Sequence, residues 1–382
     1  MAKGTLCRDF KHRGLSLKNM TVEAKKYTYR SVAIPPGDTL LEVLEFLNMS
    51  QKELAERMGR PLKLVNEIVK GKASITSETA IQLERVLGKE AAFWSNLEAG
   101  FQEALARQEA DKRLVDEIEK VPLYPYAEMV KNGWVSAANS AVTKARNLLE
   151  FFAVNSLDNV VENRLLQPVF YKISSKKKVD SFAVSAWLRK GAVDAQEINT
   201  KPFNEEILKE KLTQIRELTS EKPQEFLEKI TSCLAEAGIA FVVTRNLKNV
   251  PVNGASRWLG SDKALIQLSI YGRFADKFWF SLFHEIGHII LHGKRDFNID
   301  ISNGPNIDLK EAQANEYAKD LLIPSDKYLD FISKGEFNAQ AINQFAQKVK
   351  IHPGIVVGRL QFEELVGFNQ LNHLRGRYTW GE

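Results

Sequence analysis

From Phe278 to Leu291 the chain is almost wholly apolar or aromatic, broken by His284-Glu285-Ile286-Gly287-His288. A helix that is apolar on every side is a buried one, so this stretch predicts a core helix with a polar centre. Downstream, 308–322 reads differently. Its small and apolar stripe runs Ala314, Ala318, Leu321 and Leu322, the pattern of an amphipathic helix that Pro324 brings to a stop. Two short apolar runs upstream, Ile239–Thr244 and Ala264–Ser269, predict strands.

Near the N-terminus the periodicity is helical and the helices are short. Ser50-Gln51-Lys52-Glu53 forms a capping box for a helix from Gln51 to Met58, with Leu54, Ala55 and Met58 inward. Gly59 ends it, and Pro61 suits the first turn of a second helix that runs to Val69 or Lys70 before Gly71. Helices over Thr39–Leu47, Ser77–Leu87 and Glu90–Gln108 flank this pair. Two short helices joined by a tight glycine turn are helix-turn-helix geometry. The break at Val121–Tyr126 then opens a connector with helical spacing at 127–132, 141–152, 204–219 and 223–237, and a basic turn at Ser174–Lys178. A last helix pair is predicted at 338–349 and 355–365. The expected fold class is α+β, mainly α: a basic leader (1–34), a five-helix helix-turn-helix domain (35–108), a helical connector (109–231) and a domain with a small β-sheet (232–382).

The polar centre of the apolar helix carries the chemistry. Residues four apart share a helix face, so His284 and His288 can aim their imidazoles at one point. Two neutral imidazoles at that spacing suit Zn²⁺, with room for a third ligand and a water. Glu285 is offset by one helical step and can reach such a water as general base. The chain has six histidines, three of which (His284, His288, His292) fall between 284 and 292. Candidates for the third ligand are Asp296, Asp300, Asp308, Glu311 and Glu316. Periodicity turns Glu316 to solvent and puts Glu311 on the buried stripe, with Asn315 one turn on as a group able to orient a ligand. Asp308 as N-cap with Glu311 three residues later also reads as a capping box.

His284–His288, followed by Glu311-Ala312-Gln313-Ala314-Asn315-Glu316-Tyr317-Ala318 and Leu321-Leu322-Ile323-Pro324, resembles the ImmA/IrrE metallopeptidases. The likeness extends from about Ser232 to the C-terminus, through Gly254–Leu259, Lys263–Ser269 and His352–Gln361. It implies a thermolysin-like (gluzincin) domain, zinc on His284, His288 and Glu311, Glu285 as base, and a polar or ligand-orienting place for His292. It also implies an edge strand that pairs with extended substrate. Arg257 and Tyr317 read first as an ordinary surface Arg and a packing Tyr, and second as contacts to a carbonyl oxygen or its oxyanion.

Pro35–Asp38 through Phe93–Leu97 resembles the XRE-type domain of HigA-like antitoxins. Double-stranded operator DNA is then the expected partner, read by Gln51, Lys63 and Asn66, with Lys52, Arg60, Lys70 and Lys72 on phosphates. Leu62 and Leu64 depart from that pattern, standing where polar side chains are usual.

Composition narrows the setting. The 382 residues are 44% hydrophobic and 26% charged, with a formal net charge of +5. That describes a globular protein for which nucleic acid is permitted rather than required. Two distant cysteines, Cys7 and Cys233, suggest neither a disulfide scaffold nor a cysteine–zinc site and fit a reducing cytoplasm. No apolar run approaches a membrane span, and the Lys/Arg-rich leader lacks a signal-peptide core. The expected function is a DNA-binding regulator whose zinc endopeptidase domain cuts a regulatory protein or a partner toxin, with homodimerisation on two half-sites. The alternative is a non-catalytic antitoxin or repressor whose zinc domain is structural or sensing.

Overall fold

A computed structural model describes residues 33–162, 179–270, 274–294, 297–301 and 309–378. The basic leader to Tyr29, Cys7, the Ser174–Lys178 turn, Asp296 and Asp308 lie outside the described residues, and with Asp308 goes the expected capping box. Two compact units divide the chain between Lys112 and Arg113.

The first unit contains α1 (Pro36–Phe46), α2 (Gln51–Met58), α3 (Leu62–Val69), α4 (Ser77–Leu87) and the start of α5 (Ala91–Ile118). Ser50 caps α2 as its spacing predicts, its hydroxyl accepting from the Glu53 N–H at 3.1 Å. Gly59 then ends α2 at φ 64°, the left-handed region glycine enters without penalty. Leu40, Leu44, Leu54, Val65, Ile68, Leu83 and Trp94 form the core. Pro61 stands at the N-cap of α3 rather than inside its first turn, and α1 starts at Pro36 rather than Thr39. A proline at a helix start keeps its fixed φ and gives up an N–H that would be unpaired there anyway.

The second unit runs through α6 (Tyr126–Lys131), α7 (Ala141–Phe152), α8 (Asp158–Glu162), α9 (Ser181–Gln196), α10 (Glu205–Glu217) and α11 (Pro223–Glu236). There follow β1 (Ile239–Val243), β2 (Val252–Trp258), β3 (Ala264–Leu268), α12 (Ala275–Leu291), β4 (Phe297–Ile301) and α13 (Leu309–Leu322). It ends in α14 (Ser325–Ser333), α15 (Ala339–Val349) and α16 (Pro353–Phe362).

The sheet has the order β1-β3-β2-β4, with β1 parallel to β3 and β2 antiparallel to both neighbours. Successive side chains point to opposite faces, and in β1 and β3 both faces are buried. Ala240, Val242 and Leu265 pack with Ala195 of α9, while Phe241, Ile266 and Leu268 join the core that contains Phe283 and Ile286 of α12. Helix α9 is tied to the sheet by Trp187, whose indole donates to the Thr244 carbonyl (3.3 Å) and whose carbonyl accepts from Gln267 Nε2 (2.8 Å). Residues set apart in the sequence as a connector thus share one unit with the sheet.

The C-terminal segment fastens the start of α12. Arg375 forms a two-point pair with buried Asp276 at 3.0 and 2.7 Å, and Trp279 donates to the Tyr378 hydroxyl at 3.0 Å. A bidentate arginine–carboxylate pair fixes orientation as well as distance, so this contact fixes the N-terminal end of the helix that carries the histidines.

Candidate metal centre

Helix α12 is apolar because it is enclosed by the sheet on one side and by α13 on another, and its polar residues are buried with it. His284 and His288 are each 2% exposed and Glu285 is 0% exposed. The two imidazoles meet edge to face with Nε2 atoms 3.0 Å apart. Glu311, on the first turn of α13, brings Oε2 to 3.2 Å from His284 Nε2 and 3.6 Å from His288 Nε2. One donor atom from each residue thus lies within 4.8 Å of the others. Two imidazoles and a carboxylate are a known donor set for a catalytic zinc site with an open position. Glu311, favoured by periodicity, is the carboxylate brought to the histidines; Glu316 is exposed and pairs with Lys319.

Two glycines make this approach possible. At Gly287 a Cβ would lie 3.3 Å from the Ala314 backbone and 3.2 Å from the Tyr317 ring, so α13 crosses α12 at the one position without a side chain. At Gly254 of β2 a Cβ would lie 2.8 Å from Glu285 Oε1, so the sheet passes directly over the carboxylate. Neither glycine stands in a left-handed turn; each is needed for close approach.

Burial pushes Glu285 up to about 8, against the pull of His284 and the Ser256 hydroxyl. Burial also disfavours the His284 cation, yet the Glu311 hydrogen bond and the charges of Glu285, Asp300 and Glu311 outweigh it and lift the ring to about 9. His288 is held below the ordinary histidine range by burial, with Glu311 opposing. Among the described residues, both Glu285 oxygens and Ser256 Oγ are buried with no hydrogen-bond partner. Unpartnered buried oxygens beside the His284–His288–Glu311 cluster have a cost unless something further occupies the space there. A divalent ion on the cluster with a water beside Glu285 fits that donor set.

His292 closes the helix and touches the centre from behind. Its Nδ1 lies 2.9 Å from His288 Nδ1, and its Nε2 lies 3.3 Å from Gln313 Oε1. The chain His288–His292–Gln313 can fix the tautomer that leaves His288 Nε2 toward Glu311. Gln313 was not legible as a participant, because it meets His292 across two helices. Asn315 is half-buried one turn past Glu311 and makes no side-chain hydrogen bond among the described residues. Tyr317 packs over Gly287, while Arg257 lies close to Arg189, and burial lowers its guanidinium to about 10.

In the first unit the expected DNA contacts divide. Lys63, Asn66, Lys70 and Lys72 line one shallow depression along α3 together with Leu62 and Glu67. Gln51 and Lys52 start α2, Lys52 being exposed and 4.0 Å from Glu56. Arg60 differs: it ion-pairs with Glu78 and donates from Nε to Gln82 at 3.0 Å, binding α4 to the turn. Leu64 turns half inward and Leu62 is 40% exposed on the α3 surface.

Residues 275–360 match the IrrE N-terminal-like domain, and residues 39–94 match a helix-turn-helix family. The chain is 36% identical over 76 residues to the Escherichia coli (strain K12) protein named uncharacterized HTH-type transcriptional regulator YddM, covering 20% of this chain and 81% of that protein. It is 33% identical over 100 residues to virulence-associated protein I of Dichelobacter nodosus, covering 26% of this chain and 89% of that protein. Among solved structures, an addiction module antidote protein of a HigA family from Coxiella burnetii aligns at 35% identity, over 22% of this chain and 94% of its own, with a TM-score of 0.21. Antitoxin GraA aligns at 26% identity over 22% of this chain and 91% of its own, also with a TM-score of 0.21. Through residues 39–94 the chain belongs to the helix-turn-helix regulators, and its residues 275–360 match the IrrE N-terminal-like domain.

Proposed function

We propose that this is a cytoplasmic DNA-binding regulator whose second unit hydrolyses a peptide bond in a regulatory partner protein or toxin, using zinc. The observation that carries the reading is the cluster of His284, His288 and Glu311 beside a fully buried Glu285 with no hydrogen-bond partner among the described residues. No described helix is long and apolar enough to cross a membrane.

His284 and His288 would hold the ion through Nε2 and Glu311 through a carboxylate oxygen. Zinc bound there supplies Lewis-acid polarisation of the scissile carbonyl and lowers the pKa of water. Glu285 accepts the proton of the attacking water and delivers it to the leaving amine, a task suited to a carboxylate whose pKa burial has brought toward neutrality. Ser256 stands beside Glu285 and restrains that rise. His292 and Gln313 keep the His288 ring oriented.

In the first unit, α3 is the reading helix. Lys63 and Asn66 would reach base edges, and Lys70 and Lys72 phosphates; their shared depression along α3 supports this reading. Homodimerisation would set the spacing of two half-sites.

The test is to incubate zinc-loaded chain with the protein products of adjacent genes and follow their masses. Cleavage by the wild type that Glu285→Gln abolishes, at equal zinc content, supports hydrolysis. A second reading, an antitoxin-like adaptor with a structural or sensing zinc domain, draws on Leu62, which gives the α3 surface an apolar spot suited to a protein partner. Unchanged regulation in the Glu285→Gln variant favours it.

A further inference from the structure

Strand β4 was not foreseen in the sequence, and it places a third carboxylate, beside those of Glu285 and Glu311, next to the metal centre. In the β2–β4 ladder Gly254 pairs with Asp300 and Ser256 with Asn298. Directly paired residues of antiparallel strands project to the same face of a sheet. Gly254 identifies that face, because a Cβ there would lie 2.8 Å from Glu285 Oε1. Asp300 therefore projects on the Glu285 side, beside the space that glycine leaves open. Its neighbour Ile299 goes to the opposite face and is buried with Val252 and Ala255.

Asp300 has one partner among the described residues, Asn253, whose Nδ2 donates to Oδ2 at 2.9 Å. No lysine or arginine of the described residues neutralises it. Two deeply buried groups on the same side, Ser256 Oγ and the Glu285 carboxylate, have no hydrogen-bond partner among the described residues. Among the described residues β4 pairs only with β2, so an extended peptide backbone that adds to this sheet beside the centre would pair with the other edge of β4. The charge of Asp300 is felt by both His284 and Glu285. A half-buried carboxylate on the edge strand of the described sheet, next to a centre already holding two others, favours a positively charged group on a peptide lying there.

We propose that Asp300 is a specificity residue that receives a cationic group of the peptide, a Lys or Arg side chain or the N-terminal ammonium, next to the bond to be cut. This rests on the peptidase reading. A purely structural role, holding Asn253 at the irregular start of β2, is preserved by Asp300→Asn, whose side-chain oxygen can still accept that hydrogen bond.

The test uses the full chain loaded with zinc and carrying Glu285→Gln, so that binding is read without turnover. The probes are Ala/Gly dodecapeptides, labelled at the C-terminus, with a central Lys, Gln or Glu and either a free or an acetylated N-terminus. Anisotropy should show the Lys peptide binding about tenfold tighter than the Glu peptide, a ratio that Asp300→Asn reduces to about twofold and Asp300→Lys inverts. A preference that needs the free N-terminus assigns the cation to the ammonium; one that survives acetylation assigns it to the side chain. An unchanged Lys-to-Glu ratio in the Asp300 variants, or no binding of any probe, overturns the proposal. A charge preference that Asp300 variants abolish, alongside a wild type that cuts none of these peptides, retains the cation site and removes the peptidase reading.

Discussion

Gly287 of α12 faces Ala314 of α13 so closely that a Cβ on the glycine would lie 3.3 Å from the Ala314 backbone. Glu311 sits one turn before Ala314, so the width of this crossing sets how far the carboxylate reaches toward His284 and His288. Gly287→Ala asks Ala314 and the Tyr317 ring to yield a few tenths of an ångström. Gly287→Val asks for more. Zinc affinity is expected to fall about tenfold for Ala and further for Val, about 1.4 kcal/mol per tenfold step. Competition with a chromogenic chelator checks it, and equal affinity in all three proteins would detach the crossing from the metal.

His292→Ala removes the ring that meets His288 Nδ1 at 2.9 Å. Loss of such an outer partner costs about 10–100-fold in metal affinity. The same chelator competition should place His292→Ala in that range. Gln313→Ala, which acts one bond further away, should fall well short of it. If His292→Ala binds zinc like the wild type, the ring is a helix terminus and nothing more.

Metal-free protein should show the burial of Glu285 in its pH dependence. The folded-state value of about 8 stands above the ordinary 4.5. Between those values the folded chain holds a proton that the unfolded chain has lost, so stability declines as pH rises through the window. Glu285→Gln has no such proton to lose. In chelator-treated samples the variant should match the wild type near pH 4.5 and exceed it by ~2–5 kcal/mol at pH 8, the upper figure being the full shift. Urea unfolding at several pH values reads this difference. Parallel stability curves would mean that the carboxylate is solvated.

Arg60 and Lys63 are only three positions apart, and they should respond to different assays. Arg60 is engaged with Glu78 and Gln82, so Arg60→Ala should lower the melting temperature of the first unit. Lys63 lies 85% exposed on α3 with only a 3.9 Å contact to Glu67. Lys63→Ala should leave stability within about 0.5 kcal/mol. Loss of a base contact should cost about 1–3 kcal/mol of operator binding and relax specificity at one position. A loss of specificity for Arg60→Ala with unaltered melting would exchange their roles.

How much of this was written in the sequence depends on whether the determinant was local. Helix α2, its Ser50 cap and its Gly59 stop were legible because capping and turn chemistry act within four residues. The His284–His288 pair was legible for the same reason, and Glu311 followed because one helical stripe left it facing inward. Strands β2 and β4 were not foreseen: Val252–Trp258 mixes Asn, Gly, Ser and Arg, and those residues make sense only as the strand that passes over Glu285. Arg60 looked like a phosphate contact, and its tie to Glu78 and Gln82 came from α4, 18 to 22 residues away. Gln313 and Ser256 reach the centre by tertiary packing alone, for which no spacing rule exists.

The most direct measurement is the zinc content of the purified chain beside three substitutions. One zinc per chain is expected in the wild type and in Glu285→Gln, against less than about a tenth of that in His284→Ala and Glu311→Ala, since removing one of three ligands dismantles such a site. Wild-type protein without zinc, or Glu311→Ala that retains it in full, would contradict the centre described by His284, His288 and Glu311.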